Sequence, residues 1–450
     1  MTTPATGQQS TSPRPVLTRR ALLGAGLGLG AAAALSACGS DDPNDLSFWN
    51  FYGPSPTPST TSDWFKSVTD EWNRNNDVKV RPRFIAGSAY LNGNTLQTAF
   101  SAGSGPDIFL ISPGDFLRYQ NGGALLDLTP YLPEGAREDY VKGALDTRTV
   151  DGKVYALPME IEPLVVYYDK RAFEQAHLAE SDLPRTWDQF LDVGTKLTNR
   201  NRFGALFETL PGYYQNFVWY PFLWQGGGGA VADGKSIFDS EAARGALGFW
   251  RETQRRGIAP KAALGGGSGD TPSNLAVGYC AMQQSGIWAV ADLKTQVPKF
   301  EYGIFPLPIP EGGKQVTDGG GWAFAVNARG KNPEAAARFV SWALASTDAA
   351  GIDRARRWNT VAKTNLPPRT SVRKAAEAKG DFTSGVLKTF ATSIAPTLRS
   401  EPRYPPEVYK AISDAIQSTQ LSGNAPAGAA RQASDVIDNF LLTYRGGSIL

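Results

Sequence analysis

The chain has 450 residues, with 45 Lys and Arg against 43 Asp and Glu, one histidine, two cysteines and a net charge of +2. That length exceeds what one hydrophobic core usually serves, so two lobes or domains are expected. The balance holds no basic surplus for nucleic acid, and one imidazole leaves no material for a two-histidine zinc site or a Ser-His or Cys-His triad.

The N-terminal segment reads as an address. Thr18-Arg19-Arg20 precedes an apolar Gly/Ala/Leu run from Ala21 to Ala37, which is short for a membrane span and ends in small residues. This is the layout of a cleavable export signal over residues 1–37, and the paired arginines fit a twin-arginine signal. Leu35-Ser36-Ala37-Cys38 resembles the lipobox of bacterial lipoproteins, which makes Cys38 the lipidated first residue of the mature chain. A structural cysteine at the end of a transmembrane helix is the weaker alternative, since the run is at the lower limit for spanning. Residues 38–45 then form a small, acidic tether between lipid and fold. Removing Arg14, Arg19 and Arg20 with the signal leaves the rest close to neutral. Cys280, in the apolar segment Val277 to Met282, reads as a packing residue.

The fold is expected to open with a strand at Leu46 to Tyr52, then a helix capped by Ser62 whose Trp64, Phe65, Val68 and Trp72 share one face. A strand at Val78 to Ile85, a helix through Leu96, Ala99 and Phe100, and a buried-type strand at Asp107 to Ile111 complete a β-α-β-α-β alternation. Thr186-Trp187-Asp188-Gln189 reads as a capping box ahead of Phe190, Leu191 and Leu197. Ser240 caps a helix through Leu247 and Trp250, stopping at Gly257, and Asn332-Pro333 starts another. In the tail Tyr409, Ile412 and Ile416, then Val436, Ile437, Phe440 and Leu441, recur at helical spacing.

Catalytic signals are sparse. The runs Gly226 to Gly229, Gly265 to Gly267 and Gly319 to Gly321 lack the Lys-Ser/Thr continuation of a phosphate loop and read as turns. The alternating glycines Gly24 to Gly30 lie inside the leader and follow no strand. Glu160 and Glu162 are two apart; in an extended strand they would point to the same side about 7 Å apart, a separation that suits an inverting glycosidase. A polar binding role or a solvated strand face explains the same pair.

Several segments together carry a resemblance: Ser104-Gly105-Pro106-Asp107-Ile108, Gly122-Gly123-Ala124-Leu125-Leu126-Asp127-Leu128-Thr129, Asp151-Gly152-Lys153-Val154-Tyr155-Ala156-Leu157-Pro158, Val166-Tyr167-Tyr168-Asp169-Lys170, Leu183-Pro184-Arg185-Thr186-Trp187 and Gly286-Ile287-Trp288. In this order they resemble the extracellular solute-binding proteins of ABC importers, closest to the maltose-binding, sugar-uptake branch. The resemblance implies an α/β fold of two lobes joined by three crossings, near Met159 to Pro163, Phe305 to Pro308 and Thr347 to Arg354. Lobe 1 would comprise 46–160 and 308–350, and lobe 2 161–307 and 351–450. Ligand would lie in the cleft between them, with no cofactor, no metal and no covalent chemistry.

Sugars ask for flat apolar faces and planar hydrogen-bonding groups. Of eleven tryptophans, Trp219, Trp224, Trp288, Trp322 and Trp358 fall outside the helical stripes and are candidate platforms, while Trp64, Trp72, Trp187 and Trp250 read as core. By resemblance, Trp288 is the stacking tryptophan of the Gly-x-Trp segment and Glu162 the acidic cleft residue. Ser112, Gly114 and Asp115 occupy the polar loop after the Pro-Asp-Ile strand, Gln215 and Phe217 a polar and aromatic pair, Gly320, Gly321 and Trp322 a further contact, and Arg403 and Tyr404 a late cleft segment. Phe51-Tyr52-Gly53-Pro54 departs from the maltose-binding pattern, which argues against maltose itself. The expectation is a monomeric, lipid-anchored protein outside the cytoplasmic membrane that passes a mono- or oligosaccharide to an ABC permease. The alternatives are the same scaffold holding a non-sugar solute, a phosphate ester, peptide or polyamine, with Arg354, Arg356, Arg357, Arg399 and Arg403 as cations for an anionic one, and a surface glycosidase built on Glu160 and Glu162.

Overall fold

The computed structural model describes residues 42–450 apart from 58, 92 and 93. The leader, the lipobox and Cys38 lie outside the described residues.

Three parallel strands, Asp45–Asn50, Lys79–Phe84 and Ile108–Ile111, form the heart of the first sheet, as the alternation implies. The connecting helix Thr60–Asn75 begins earlier than expected, because Ser59 and not Ser62 caps it: the Ser62 N–H donates to Ser59 Oγ at 3.1 Å. Both serines satisfy the sequence rule, and only the extended backbone of Ser59 decides between them. Trp64, Phe65, Val68 and Trp72 turn inward together, each contributing roughly 1.5–3 kcal/mol by burial. Ala323–Val326 pairs antiparallel with Ile108–Ile111, and Ala156–Pro158 closes the far edge.

The second sheet is built on Glu162–Asp169, whose residues are buried up to Tyr168, as a strand covered on both faces requires. Cys280–Gly286 and Tyr302–Phe305 flank it antiparallel, with Phe203–Leu206 beyond the former. Thr317–Gly320 pairs with its first residues and carries Leu398–Arg399 on its other side. Helices cover this sheet. Thr186 and Gln189 form the expected capping box for Trp187–Leu197, and Ser240 caps Glu241–Arg255. Trp187, read as core, is half-buried, stacked on Phe249 at 5.0 Å with its Nε1 donating to the Pro308 carbonyl. Pro406–Gln420 and Pro426–Leu441 pack against each other; Val436, expected inside the stripe, is 47 % exposed because the last helix seats on Ala429, Ala430, Ala433 and Ile437 instead. Cys280 is buried, and that burial pushes its thiol far above the ordinary range.

The chain leaves the first sheet after Pro158 and enters the second at Glu162. The other two passages fall elsewhere than expected. Because Gly319 and Gly320 pair with Pro163 and Glu162, residues 308–320 go with the second sheet, and the return lies between Gly320 and Ala323 rather than near Phe305 to Pro308. Gly321, at φ +128°, makes that return: a side chain there would come within 2.5 Å of the Glu160 carbonyl oxygen. Nor does the chain cross at Thr347 to Arg354. The Trp358 indole lies among Tyr52, Trp64 and Phe65 at 5.0, 4.8 and 5.5 Å, which ties residues 349–362 to the first lobe. Lys363 and Asn365 then touch Glu162, Leu366 bridges to Ile161, helix Thr370–Ala378 packs back on Ala349–Arg357, and Phe390–Ile394 packs on Glu162–Asp169 before Leu398–Arg399 joins the second sheet.

Candidate functional site

A cavity of about 250 Å³ opens where the two lobes face each other. Its first wall holds Tyr90, Ser112, Asp115, Arg118 and Trp322, and its second Glu208, Tyr213, Tyr214 and Tyr409. The placement follows from strand ends. Ser112 follows the strand Ile108–Ile111 and Glu208 lies just past Phe203–Leu206, and the carboxyl ends of strands are where open α/β sheets gather ligand-facing groups. Pro113 then starts the helix Pro113–Asn121 immediately, with Asp115 in its first turn. On the other side Gly212, at φ +139°, lets the chain turn into helix Tyr213–Gln225 so that two tyrosines sit in its first turn.

Every charged group on these walls already has a protein partner. Asp115 takes the Arg118 Nε–H at 2.7 Å, and the same guanidinium donates to the Tyr409 hydroxyl of the opposite lobe. Burial raises the Asp115 carboxyl above its ordinary range, opposed by Arg118. Glu208 Oε1 accepts the Thr209 and Leu210 N–H groups at 2.7 Å each, and Oε2 the Ser268 hydroxyl at 2.7 Å. The Ser112 hydroxyl, on a residue that lines the cavity, is buried without a protein partner. What faces the space is therefore aromatic surface and hydroxyls, with Asp115 and Arg118 neutralising each other and Glu208 hydrogen-bonded by two amides and a hydroxyl but facing no cation.

Beside the cavity residues lies a buried ionic cluster. Lys363 Nζ donates to Glu160 Oε1 at 2.9 Å, Glu162 Oε1 at 2.5 Å and the Tyr52 hydroxyl at 2.5 Å. Glu160 also accepts from Trp358 Nε1 at 2.8 Å and Asn365 Nδ2 at 2.6 Å. The two carboxylates thus converge on one ammonium instead of flanking an open space for water, which the glycosidase reading requires. Burial pushes the Glu162 carboxyl up to about 7, against the pull of Lys363, and that of Glu401 up to about 8, against Arg148. A carboxyl whose folded value is raised binds protons more tightly folded than unfolded, so its contribution to stability falls as pH rises from its unfolded value through its folded one. The thermal midpoint is therefore expected to drop between pH 5 and pH 8; a flat profile by calorimetric scan would contradict this.

The sequence-derived candidates divide. Ser112, Asp115 and Trp322 line the cavity. Gly114 and Gly320 meet Glu401, where a Cβ would come within 2.7 and 2.6 Å of its carboxylate, and Phe217 lies equally close to Gly320. Gly321 offers its carbonyl to Arg148. Glu162 belongs to the Lys363 cluster. Trp288 is half-buried with its ring over Gly286, 6.5 Å from Phe217, and its Nε1 donates to the Gly269 carbonyl at 3.4 Å; it is not on the cavity wall.

Three candidates fall away from it. Gln215 is wholly buried and accepts the Ser413 hydroxyl at 2.7 Å between helices, Tyr404 packs edge-on to Tyr220 at 5.8 Å, and Arg403 donates to the carbonyls of Asp146, Thr149 and Ser448. Arg403→Ala is expected to cost about 2 kcal/mol of stability while leaving ligand affinity within twofold, read from denaturant melts and titrations. Trp219, Trp224 and Trp358 are core. Arg354 pairs with Glu71, Arg356 and Arg357 with Asp353, and Arg399 lies over Trp224, so none of these cations lines the cavity. Sequence reasoning missed Tyr90, Arg118, Glu208, Tyr213, Tyr214, Tyr409, Lys363 and Glu401. Only Gly212-Tyr213-Tyr214 carries a local signal, a glycine ahead of paired aromatics; the rest meet through long-range packing.

The family described as bacterial extracellular solute-binding protein matches residues 57–388. An uncharacterized lipoprotein in the oleD 5′ region of Streptomyces antibioticus is 29% identical over 259 residues, covering 55% of this chain and 56% of that protein. The chain thus spans little more than half the length of that relative. The maltodextrin-binding protein MdxE of Bacillus subtilis is 28% identical over 356 residues, covering 74% and 77%. Among solved structures, an ABC transporter solute-binding protein from Thermotoga lettingae bound with α-D-tagatose superposes with a TM-score of 0.74 at 22% identity, covering 88% of this chain and 99% of that one.

Proposed function

We propose, since this chain belongs to the bacterial extracellular solute-binding proteins, that it captures an uncharged carbohydrate in the cavity between its lobes and delivers it to an ABC permease. The observation that carries this reading is the wall chemistry: Trp322, Tyr213 and Tyr214 supply ring faces, Ser112 adds a hydroxyl with no protein partner, Asp115 and Arg118 neutralise each other, and Glu208 is hydrogen-bonded by two amides and the Ser268 hydroxyl. An anionic solute would find its only cation, Arg118, already paired with Asp115 and would leave a desolvated charge without a partner there, which is costly. The names of the maltodextrin-binding relative and of the tagatose-bound neighbour favour the same class. We read the chain as one that binds without converting, a reading supported by Glu160 and Glu162 being held by a single lysine.

A thermal-shift screen tests this. Binding at a hundredfold excess over Kd adds about 2.7 kcal/mol, so neutral sugars should raise the midpoint while amino acids and phosphate esters leave it in place. A shift with phosphate esters alone would sink the carbohydrate reading, and turnover of a sugar would make the protein an enzyme.

Anchoring through Cys38 on the outer face of the cytoplasmic membrane is part of the same proposal, supported by the lipobox pattern and by the relative named as a lipoprotein. No helix among the described residues is long and apolar enough to cross a membrane. Cys38→Ser should leave the protein unacylated by mass spectrometry.

A further inference from the structure

We propose that Glu208 sets which charge form of a sugar the cavity accepts: its carboxylate takes a hydroxyl of a neutral saccharide and repels the acid form of the same sugar. This deepens the carbohydrate reading and rests on it. Glu208 lines the cavity, is 4 % exposed and lies just past the strand Phe203–Leu206, as Ser112 follows Ile108–Ile111 on the facing wall. Its two oxygens are unequally used. Oε1 accepts the N–H groups of Thr209 and Leu210, whereas Oε2 accepts only the Ser268 hydroxyl. A carboxylate oxygen offers about two lone-pair sites, so Oε2 keeps one for a further donor. The buried Ser112 hydroxyl, without a protein partner, still has a proton to give and lone pairs to offer. A sugar hydroxyl answers both walls, because it donates and accepts. A ligand carboxylate or phosphate, fully ionised, only accepts and has nothing to give Glu208.

Charge works in the same direction. Among the described residues Glu208 forms no ion pair, and its three donors are neutral. The other acidic wall residue, Asp115, is matched by Arg118 at 2.7 Å, so the described wall residues carry one net negative charge, that of Glu208. Like charges a few ångströms apart repel far more in a partly buried site than in water, and salt screens them less there. Nor can the carboxylate swing aside. Ser268, which holds Oε2, is itself buried, and its carbonyl accepts Gln283 Nε2 at 2.7 Å. The bonds to Thr209 and Leu210 also brace the turn leading to Gly212, so the decisive readout is the preference between charge forms and not affinity alone.

Titration calorimetry of the full-length protein with matched pairs, glucose against glucuronate, galactose against galacturonate and maltose against maltobionate, measures that preference. In a pair whose neutral member binds, the acid form is expected to bind at least a hundredfold more weakly. Glu208→Gln should narrow that ratio at least tenfold, since the amide keeps the shape and an acceptor oxygen but not the charge. A residue that only braces the turn would lower the thermal midpoint and leave the ratio alone, so an unchanged ratio in the folded variant overturns the assignment. Ser268→Ala keeps the charge and frees Oε2; the ratio should hold or widen, and a tenfold narrowing overturns the assignment even where Glu208→Gln does not fold. Acid and neutral forms bound equally by the wild type would end the role of Glu208 while leaving a carbohydrate as ligand. If no sugar of either form binds, the carbohydrate reading fails and the role of Glu208 fails with it.

Discussion

The Lys363→Ala variant is expected to lose roughly 3–5 kcal/mol of stability, because removing one partner of a buried ion pair strands the other. Here two carboxylates are stranded at once, with Glu160 and Glu162 both on the same Nζ and the lysine side chain 8 % exposed. Tyr52 and Asn365 remain as hydrogen-bond donors, and neither brings a compensating charge. The loss should be larger at pH 8 than at pH 5, since Glu162, already raised to about 7 by burial, can take up a proton at the lower pH and shed its unpaired charge. Denaturant unfolding at the two pH values checks both the size and the direction. A loss below about 1 kcal/mol at pH 8 would mean that water reaches the cluster. The residues involved come from the first passage between sheets and from the segment behind Trp358, so the same variant tests whether those segments are held together by charge.

The second large effect concerns recognition. Trp322→Ala is expected to weaken carbohydrate binding by at least 2 kcal/mol, about thirtyfold, as removal of a central tryptophan in a desolvated contact typically does. Trp322→Phe should recover most of it, because a ring face remains. The Phe51 and Tyr90 contacts of the indole, at 4.8 and 6.4 Å, predict some loss of stability as well, so affinity must be read by calorimetry at a temperature where circular dichroism shows the variant folded. Unchanged affinity would move the site away from this wall. Trp288→Ala makes the informative partner experiment. The family resemblance makes Trp288 the stacking residue, while its ring lies over Gly286 and its Nε1 is bonded to Gly269. An equal loss from both variants would place the ligand across Phe217 toward Trp288.

Much of the local structure was readable before any coordinates. The βαβαβ opening, the Thr186 capping box, the Ser240 and Asn332 caps and the inward face of Trp64, Phe65, Val68 and Trp72 all follow from periodicity and capping chemistry within a few residues. The polar loop Ser112 to Asp115 and Trp322 were readable too, because a proline or glycine marks the end of the strand that carries them. Tryptophans outside a helical stripe were harder. Trp219, Trp224 and Trp358 read as possible platforms, yet each is core, since helix Tyr213–Gln225 is buried on every side and residues 349–362 fold back on the first sheet.

Alternation and motif order by themselves determined that this is a two-lobe α/β chain, for that depends on which residues exist and how they alternate. Tertiary structure alone decided where the chain crosses between sheets, that Lys363 joins Glu160 to Glu162, and that Arg118 meets Tyr409 across the cavity. The physical reason is separation along the chain: about two hundred residues divide Lys363 from its carboxylates and 291 divide Arg118 from Tyr409. Local spacing has no reach over such distances, and only the burial of two sheets and their helices brings those groups together.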